Sequence, residues 1–554
     1  MCRLVSSSTT RRSPLPRVAV AVFLLFCLAL GAALLAPLTT YPLGRDQGVF
    51  ATVADVISRG GAPYKDAWDI KPPGVFYIFW LSFRAFGRSE AAPRVFDLLW
   101  TLATAITVWA IGRRLFSEWA AIAAAFFFLI RYITHDYYWH TTQCDGFVSL
   151  PLALAALTLA AEDRKSRGLA AACGALIAVA IIFKFTLGIF IALPLAAAFA
   201  SRTESLRPRI ARAAWYLAGC AIVLLAAAGL IWKAGALGQM VDIVIHWNAA
   251  YARMQVPGLP RQSLASQLAK AFIGQPAALI FPIGLLALVG VTDLCFRPGS
   301  TRVRWLVPAW ALVVVLQVWI QGRYYSYHWL PLLPPLALLA GQGLRTLSVA
   351  LRKSLRPRPA AALSALGLVA LFAMLGTGYY SFLRFPLRYL AGQVPRATYL
   401  RAFDRAIVSD FSLTADQEVA AWIRQRIQPN TPFYIWGFEP LIYFLADRPP
   451  ASRFIYNIPL VASWSPAEWR AELVRDLQEK STRYILVVHR DPQPWMVGRW
   501  DDSASQLATY PELAQLLCDR YRLCEQIQDF DIYEREAASE STAAHSAARP
   551  QSPM

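Results

Sequence analysis

The sequence predicts a mainly α protein, a polytopic membrane helical bundle of about eleven spans with a small extracytoplasmic α/β domain at its carboxyl end. Three observations predict it. The 554 residues are 56% hydrophobic with a mean hydropathy of +0.40, too apolar for an ordinary soluble chain. Apolar runs near the length that crosses about 30 Å of hydrocarbon recur as far as residue 380. Basic clusters fall between those runs: Arg113-Arg114, Arg164-Lys165-Ser166-Arg167, Arg207-Pro208-Arg209, Arg302-Val303-Arg304, and Arg352-Lys353 through Arg358. They alternate with less basic loops, as the positive-inside rule requires of cytoplasmic segments.

In chain order, residues 1–16 read as a cytoplasmic tail. Arg11, Arg12 and Arg17 precede the first apolar run, 18–38. That run exceeds the usual signal-peptide core of about 7–15 residues, so it reads as a retained span rather than a cleaved signal. Further spans are predicted at 93–112, 119–133, 146–161, 168–184, 186–200, 213–233, 274–294, 303–320, 327–346 and 361–380. Several are short for a full crossing, and the pair within 168–200 reads as a tight hairpin or as one long helix. With the amino terminus inside, about eleven crossings put every basic cluster on the cytoplasmic side. The loop 39–92, the segments 134–145 and 234–273, the turn 321–327 and the whole carboxyl end then fall outside. The formal net charge of +19 is therefore mostly topogenic, and nucleic acid is not an expected partner.

Residues 17–380 thus form the transmembrane module. Residues 381–536 form the outer domain, in which ADQEVAAWIRQRI (415–427) is helical in period and TPFYIWG (431–437) and RYILVVH (483–489) are strand-like. The tail 537–554 is rich in Ser and Ala and reads as disordered. The cysteines show no CxxC and no zinc-like spacing. Only Cys518 and Cys524 lie close together in polar sequence, where an extracytoplasmic setting permits a disulfide.

The residues with chemistry concentrate in the first outer loop, YPLGRDQGVFATVADVISRGGAPYKDAWDIKPPGVFYIFWLSFRAFG (41–87). Asp46 precedes an amphipathic helix pattern. It reads as an N-cap, as a general base held at the membrane surface, or as both. Lys71 precedes Pro72-Pro73, a good helix start. A cation there opposes the helix macrodipole, so it contributes little to the fold, but it could meet a phosphate. The competing role is a snorkelling interfacial lysine. Asp66 and Asp69 read as loop contacts or caps of the second helix. In RYITHDYYWHTTQCD (131–145), His135, Asp136, His140 and Asp145 have metal-ligand chemistry, but their irregular spacing favours an interfacial aromatic girdle. Asp145 is the second acidic candidate, with capping as its alternative. Lys184 lies in apolar sequence, where a charge faces a cavity or snorkels to the membrane edge. Arg323, among Tyr324, Tyr325, Tyr327 and His328, offers a fork suited to phosphate.

The first-loop sequence, IIFKFTLGIF, GRYYSYHWLPLLPPLALLAG and WGFEPLIYFLADRPP together resemble the polytopic GT-C glycosyltransferases that use polyprenyl-phosphate sugars. The closest likeness is to the bacterial branch related to protein O-mannosyltransferases and the lipid A aminoarabinose transferase, over most of residues 17–490. The resemblance implies a catalytic acid at Asp46 and matches Lys71 and Lys184 to the family's lysines, with Asp145 the one candidate for its second acidic site; donor-phosphate binding is read for Lys71, Lys184 and, from its own chemistry, Arg323. It also implies inversion at the sugar. Several relatives have Asp-Glu where this chain has Asp46-Gln47, and no metal or other cofactor is assigned. The implied activity moves a sugar from a polyprenyl-phosphate donor to a glycan, lipid or protein hydroxyl on the outer face of the cytoplasmic membrane. The alternatives are a polyprenyl-linked lipid flippase or transporter and a non-catalytic envelope assembly protein. In the first the helices line a pathway with Lys184 and Arg323 on a lipid phosphate, in the second the outer domain binds a partner, and scatter of Asp46, Lys71 and Lys184 over separate faces would favour both.

Overall fold

The computed structural model describes residues 29–536 apart from 137, 162–165, 201–203, 259–262, 264, 267–274, 297–300 and 407–409. The tails 1–16 and 537–554 and most of the first span, 18–38, lie outside the described residues. So do parts of the segment 234–273 and of the basic cluster at 164–167.

The chain is mainly helical. The first outer loop folds into α1 (Arg45–Ser58) and α2 (Gly74–Phe86). There follow α3 (Ala91–Leu115), α4 (Glu118–Ile133), α5 (Ser149–Ala160), α6 (Arg167–Phe183) and α7 (Leu206–Lys233). The short α8 (Asn248–Arg253) precedes α9 (Gln275–Phe296), α10 (Thr301–Gln321), α11 (Leu333–Ser354) and α12 (Pro357–Leu390). Helix α4 packs on α3 and α11, α6 on α5 and α7, and α9 on α11. Two of these contacts need glycine on both sides. A Cβ at Gly174 would lie 1.8 Å from the Tyr216 carbonyl oxygen, and one at Gly343 1.8 Å from that of Leu286. Small residues let apolar helices approach until dispersion between backbones holds them, the only strong association left where lipid is as apolar as leucine.

Among the described residues, three helices are long and apolar enough to cross a membrane: α3, α7 and α12. Seven shorter apolar helices accompany them, one of which is α2 of the first outer loop. The pair at 168–200 is neither a hairpin of two full helices nor one long helix. Helix α6 stops at Phe183, Lys184 is extended (φ −158°), and a 3-10 stretch, Phe185–Ile191, follows. Likewise 327–346 begins as 3-10 helix, Ser326–Leu332, before α11. The boundary expected at 380 falls inside α12, because SFLRFPLRYL (381–390) continues the helical pattern.

The carboxyl-terminal part holds α13 (Leu413–Arg426), where helical period was read, and a four-stranded sheet. Its strands are β1 (Tyr434–Trp436), β2 (Tyr484–Val488), β3 (Tyr521–Ile527) and β4 (Phe530–Arg535). The order is β1-β2-β4-β3, with β1 and β2 parallel (Tyr434 opposite Ile485) and the other pairs antiparallel. The fully buried β1 and β2 match the two strand-like runs. The β3–β4 hairpin had no sequence signal, since β3 is an edge strand whose middle residues are all exposed. Cys518 and Cys524 are free and exposed.

This part is not a separate lobe on a stalk. Its helix α14 (Leu441–Ala446) packs on α1 so closely that a Cβ at Gly48 would lie 2.7 Å from that of Leu441. Trp68 of the first loop is fully buried among Trp247, Tyr456 and Trp469, and its amide donates to the Arg453 carbonyl at 2.7 Å. The first loop is therefore clamped between the helical bundle and the carboxyl-terminal part.

Candidate functional site

Helix α1 begins two residues earlier than an N-cap at Asp46 requires. Gly44 occupies the cap, and Asp46 lies within the first turn, where the helix dipole favours a carboxylate. The capping work falls to Gln47, whose Oε1 accepts from the Gly44 amide at 3.2 Å. Its Nε2 donates to the carbonyls of Trp139 (2.8 Å) and Thr141 (2.9 Å), and the side chain is fully buried. A glutamate could not donate to those two carbonyls. The Asp46-Gln47 departure is thus a structural tie to the segment 138–143.

Freed from capping, Asp46 is half-buried and accepts from Gln143 Nε2 at 3.1 Å. Gln143 in turn donates to the Trp139 carbonyl at 3.0 Å, which fixes the carboxylate's orientation. Asp46 and the other four sequence-selected residues, Lys71, Asp145, Lys184 and Arg323, line one cavity of about 700 Å³.

Lys71 sits just before the Pro73 cap of α2. Its backbone is pinned on both sides: the amide donates to Asp69 Oδ1 (2.8 Å), and the carbonyl accepts from Tyr64 Oη (2.8 Å). Its ammonium lies 5.5 Å from the Tyr327 ring centroid and, among the described residues, has no carboxylate within 4 Å. Burial works against its charge, but the surrounding Asp46, Asp145 and Asp69 outweigh this and raise its pKa above the ordinary value. Lys71 is thus a permanently charged cation without an ion-pair partner.

Lys184 and Asp145 instead pair with each other, both deeply buried. The break after α6 carries the lysine to the carboxylate, and together they bring no net charge to the cavity. The capping alternative for Asp145 yields to this ion pair. Arg323 Nη2 donates to the carbonyls of Tyr251 (2.6 Å) and Met254 (3.0 Å), closing the end of α8, and its guanidinium lies 4.5 Å from the Tyr251 ring. Only Nε is left buried without a partner.

The remaining candidates are structural in geometry. Asp66 accepts from the Ala62 amide at 2.7 Å. Asp69 is no cap of α2: besides the Lys71 amide it accepts from Tyr456 Oη at 2.8 Å, joining the first loop to the carboxyl-terminal part. His135 Nε2 lies 2.7 Å from the Ser326 carbonyl oxygen, and His140 Nε2 lies 2.8 Å from that of Tyr132. Asp136 accepts from Trp139 Nε1 at 2.9 Å and from Ser326. Among the described residues no group of three His, Cys, Asp or Glu side chains converges on a common point.

Burial raises the Asp69 carboxyl from 3.8 to about 6, against the Lys71 amide, the Lys71 charge and the Tyr456 hydroxyl. An acid raised in the folded state favours the fold most below its unfolded pKa, and that contribution is lost as pH rises through about 6. The ionised form then costs up to about 3 kcal/mol. Asp69→Asn keeps an oxygen for the Lys71 amide. Its Tm relative to the parent is expected to rise between pH 4 and 7.5 by the equivalent of that amount. A pH-independent difference would contradict it.

Sequence reasoning missed one wall of the cavity. Phe411, Phe438, Tyr456 and Trp495 reach it from the carboxyl-terminal part. It also missed Arg45, whose Nε donates to Glu439 Oε1 at 2.8 Å, with Nη2 on the same oxygen. The fragment WGFEP and the residue before Asp46 were both in view, but nothing in sequence paired them.

Residues 70–232 match the family model described as dolichyl-phosphate-mannose-protein mannosyltransferase. No curated protein matches the chain. Among solved structures, ArnT from Cupriavidus metallidurans in the apo state is similar over 97% of this chain and 100% of its own, with TM-score 0.61 and 15% identity. The same protein bound to undecaprenyl phosphate gives 0.59 and 14%, with the same coverage. The arabinofuranosyltransferase AftD from Mycobacteria is similar over 95% of this chain but 40% of its own, with TM-score 0.50 and 16% identity. The chain therefore carries a segment that matches this family model and is similar in fold to ArnT along nearly its whole length.

Proposed function

We propose that the protein is a membrane glycosyltransferase that moves a sugar from a polyprenyl-phosphate donor to a hydroxyl acceptor on the outer face of the cytoplasmic membrane. The observation that carries this is the pairing, in one cavity, of an oriented carboxylate, Asp46, with an uncommitted cation, Lys71. Scatter of Asp46, Lys71 and Lys184 over separate faces would have favoured the flippase and assembly readings, and the three line one cavity.

In this mechanism the acceptor hydroxyl attacks the anomeric carbon while Asp46 takes its proton. The bond from that carbon to the phosphate oxygen breaks, and its electron pair leaves on polyprenyl phosphate. The leaving group is already an acid's anion, so no general acid is required, in contrast to the two-carboxylate glycosidases. Catalysis must instead stabilise charge growing on phosphate oxygens. Lys71 is placed for this, with the Tyr327 ring against its ammonium. The Lys184–Asp145 pair, neutral as a whole, forms part of the cavity wall, and Arg323 shapes the cavity edge beside α8.

Lys71→Met is expected to weaken undecaprenyl-phosphate binding about 10- to 100-fold, the worth of one charge-assisted hydrogen bond, with Lys71→Arg recovering part of it. Native mass spectrometry of the detergent-solubilised protein measures this, and unchanged affinity would remove Lys71 from the donor site. The function itself is tested by comparing surface glycans and glycolipids of a deletion strain with its parent. One sugar missing and restored by the intact gene supports transfer; an unaltered envelope overturns it.

A further inference from the structure

The cavity changes character from one side to the other. Its inner side is ionic, with Asp46, Lys71 and the Asp145–Lys184 pair. Among the described residues, the side built by the carboxyl-terminal part lines the cavity with no charged side chain and presents Phe411, Phe438, Tyr456, Trp495 and Met496. Arg45 lies 5.0 Å from the Phe411 ring centroid and 5.9 Å from that of Phe438, and it is paired with Glu439. Nearby charges are spent elsewhere. Asp491 is buried and accepts from the Ser503 amide and hydroxyl, and Arg499 donates to Asp501 at 2.9 Å. Neither Arg490 nor Arg499 lines the cavity. Trp495 is half-buried and held nearly perpendicular to Trp500 (centroids 5.6 Å, 80°), a braced ring at the cavity edge.

We propose that this wall is the acceptor subsite and that it takes a neutral carbohydrate, with Trp495 as its specificity-determining platform. The inference rests on the transferase reading above and adds the acceptor's class. A sugar ring has an apolar C–H face that an aromatic side chain covers well, and hydroxyls at its rim that reach polar groups or water. Arg45 adjoins Asp46 in the chain, so a ring lying along Phe438 and Trp495 approaches the carboxylate that would take its proton. An anionic acceptor, such as a phosphorylated glycolipid, would lose hydration against these aromatic rings, and the cavity's uncommitted cation, Lys71, would already be engaged by the donor phosphate.

The test uses the full chain in lipid nanodiscs loaded with undecaprenyl phosphate. Neutral oligosaccharides, phosphorylated or carboxylated glycans of equal size, and a Ser/Thr-rich peptide are titrated by saturation-transfer NMR. Neutral glycans are expected to bind at least tenfold tighter than the charged ones or the peptide. Trp495→Ala is expected to weaken them tenfold or more, Trp495→Phe to retain most of the affinity, and both to leave undecaprenyl-phosphate binding unchanged. Preference for an anionic glycan or the peptide, no glycan binding at all, or neutral binding indifferent to Trp495→Ala each overturns the proposal. The parent's selectivity decides the matter even if the alanine variant fails to fold. Failure of undecaprenyl phosphate itself to bind would instead strike the transferase reading.

Discussion

Asp46→Asn is expected to lower sugar transfer about 10²- to 10⁴-fold, the usual worth of a positioned general base, while undecaprenyl phosphate still binds. The substitution is nearly isosteric, and an Asn oxygen can accept from Gln143 Nε2 as the carboxylate does. The first turn of α1 is held by Gln47 and Arg45 rather than by Asp46, so its geometry should survive. Lys71 loses one of the carboxylates that favour its charge, but Asp69 and Asp145 remain, so donor affinity should hold or increase slightly. Transfer of label from an undecaprenyl-phosphate sugar by reconstituted protein, with lipid binding measured in parallel, separates the two effects. Undiminished transfer in Asp46→Asn would defeat the mechanism. Equal loss of transfer and lipid affinity would make Asp46 a binding group instead.

What was legible in the sequence follows from what lies close along the chain. Asp46 and Lys71 share one loop, each beside a helix start, so their placement could be read from local pattern. Lys71 was the more telling of the two, because a cation before a helix start has little structural purpose there, and the structure leaves its ammonium without an ion-pair partner. The Asp145–Lys184 pair was not legible. Its members are 39 residues apart on different elements, and only the break after α6 brings them together. Each was read as a separate donor or acceptor, whereas together they are neutral. The interruptions within spans were not legible for a related reason: apolar composition marks a crossing, but extended and 3-10 breaks such as those at Lys184 and Ser326 carry no hydropathy signal. The wall from the carboxyl-terminal part was illegible because its contacts with α1 span nearly four hundred residues, for example 388 between Thr52 and Pro440. No local periodicity encodes such a pairing.

That long-range clamp gives the largest expected effect on stability. Glu439 is buried and Arg45 half-buried, and burial alone would disfavour each charge. Their mutual attraction outweighs burial for Arg45, whose pKa is raised. Removing one partner strands the other in a poorly solvated site, which costs about 3–5 kcal/mol. Glu439→Ala should fall toward the lower end, because Asp416 and Asp491 also favour the Arg45 charge. Arg45→Met leaves Glu439 without its cation, beside an Oε2 that already has no partner. The double variant Arg45→Met/Glu439→Leu removes both charges and is expected to recover most of the loss, since apolar replacement of a buried pair is often neutral or better. Thermal unfolding in one detergent should therefore rank the parent and the double variant together, above both single variants. Activity should follow a different order. Arg45 is the first residue of α1 and Asp46 the second, so even the stable double variant loses the fastener that aims the carboxylate. It should show a lower kcat with undecaprenyl-phosphate affinity unchanged. A double variant as unstable as the singles would mean that the pair acts through packing rather than charge, and one with parental kcat would mean that Gln143 and Gln47 suffice to position Asp46.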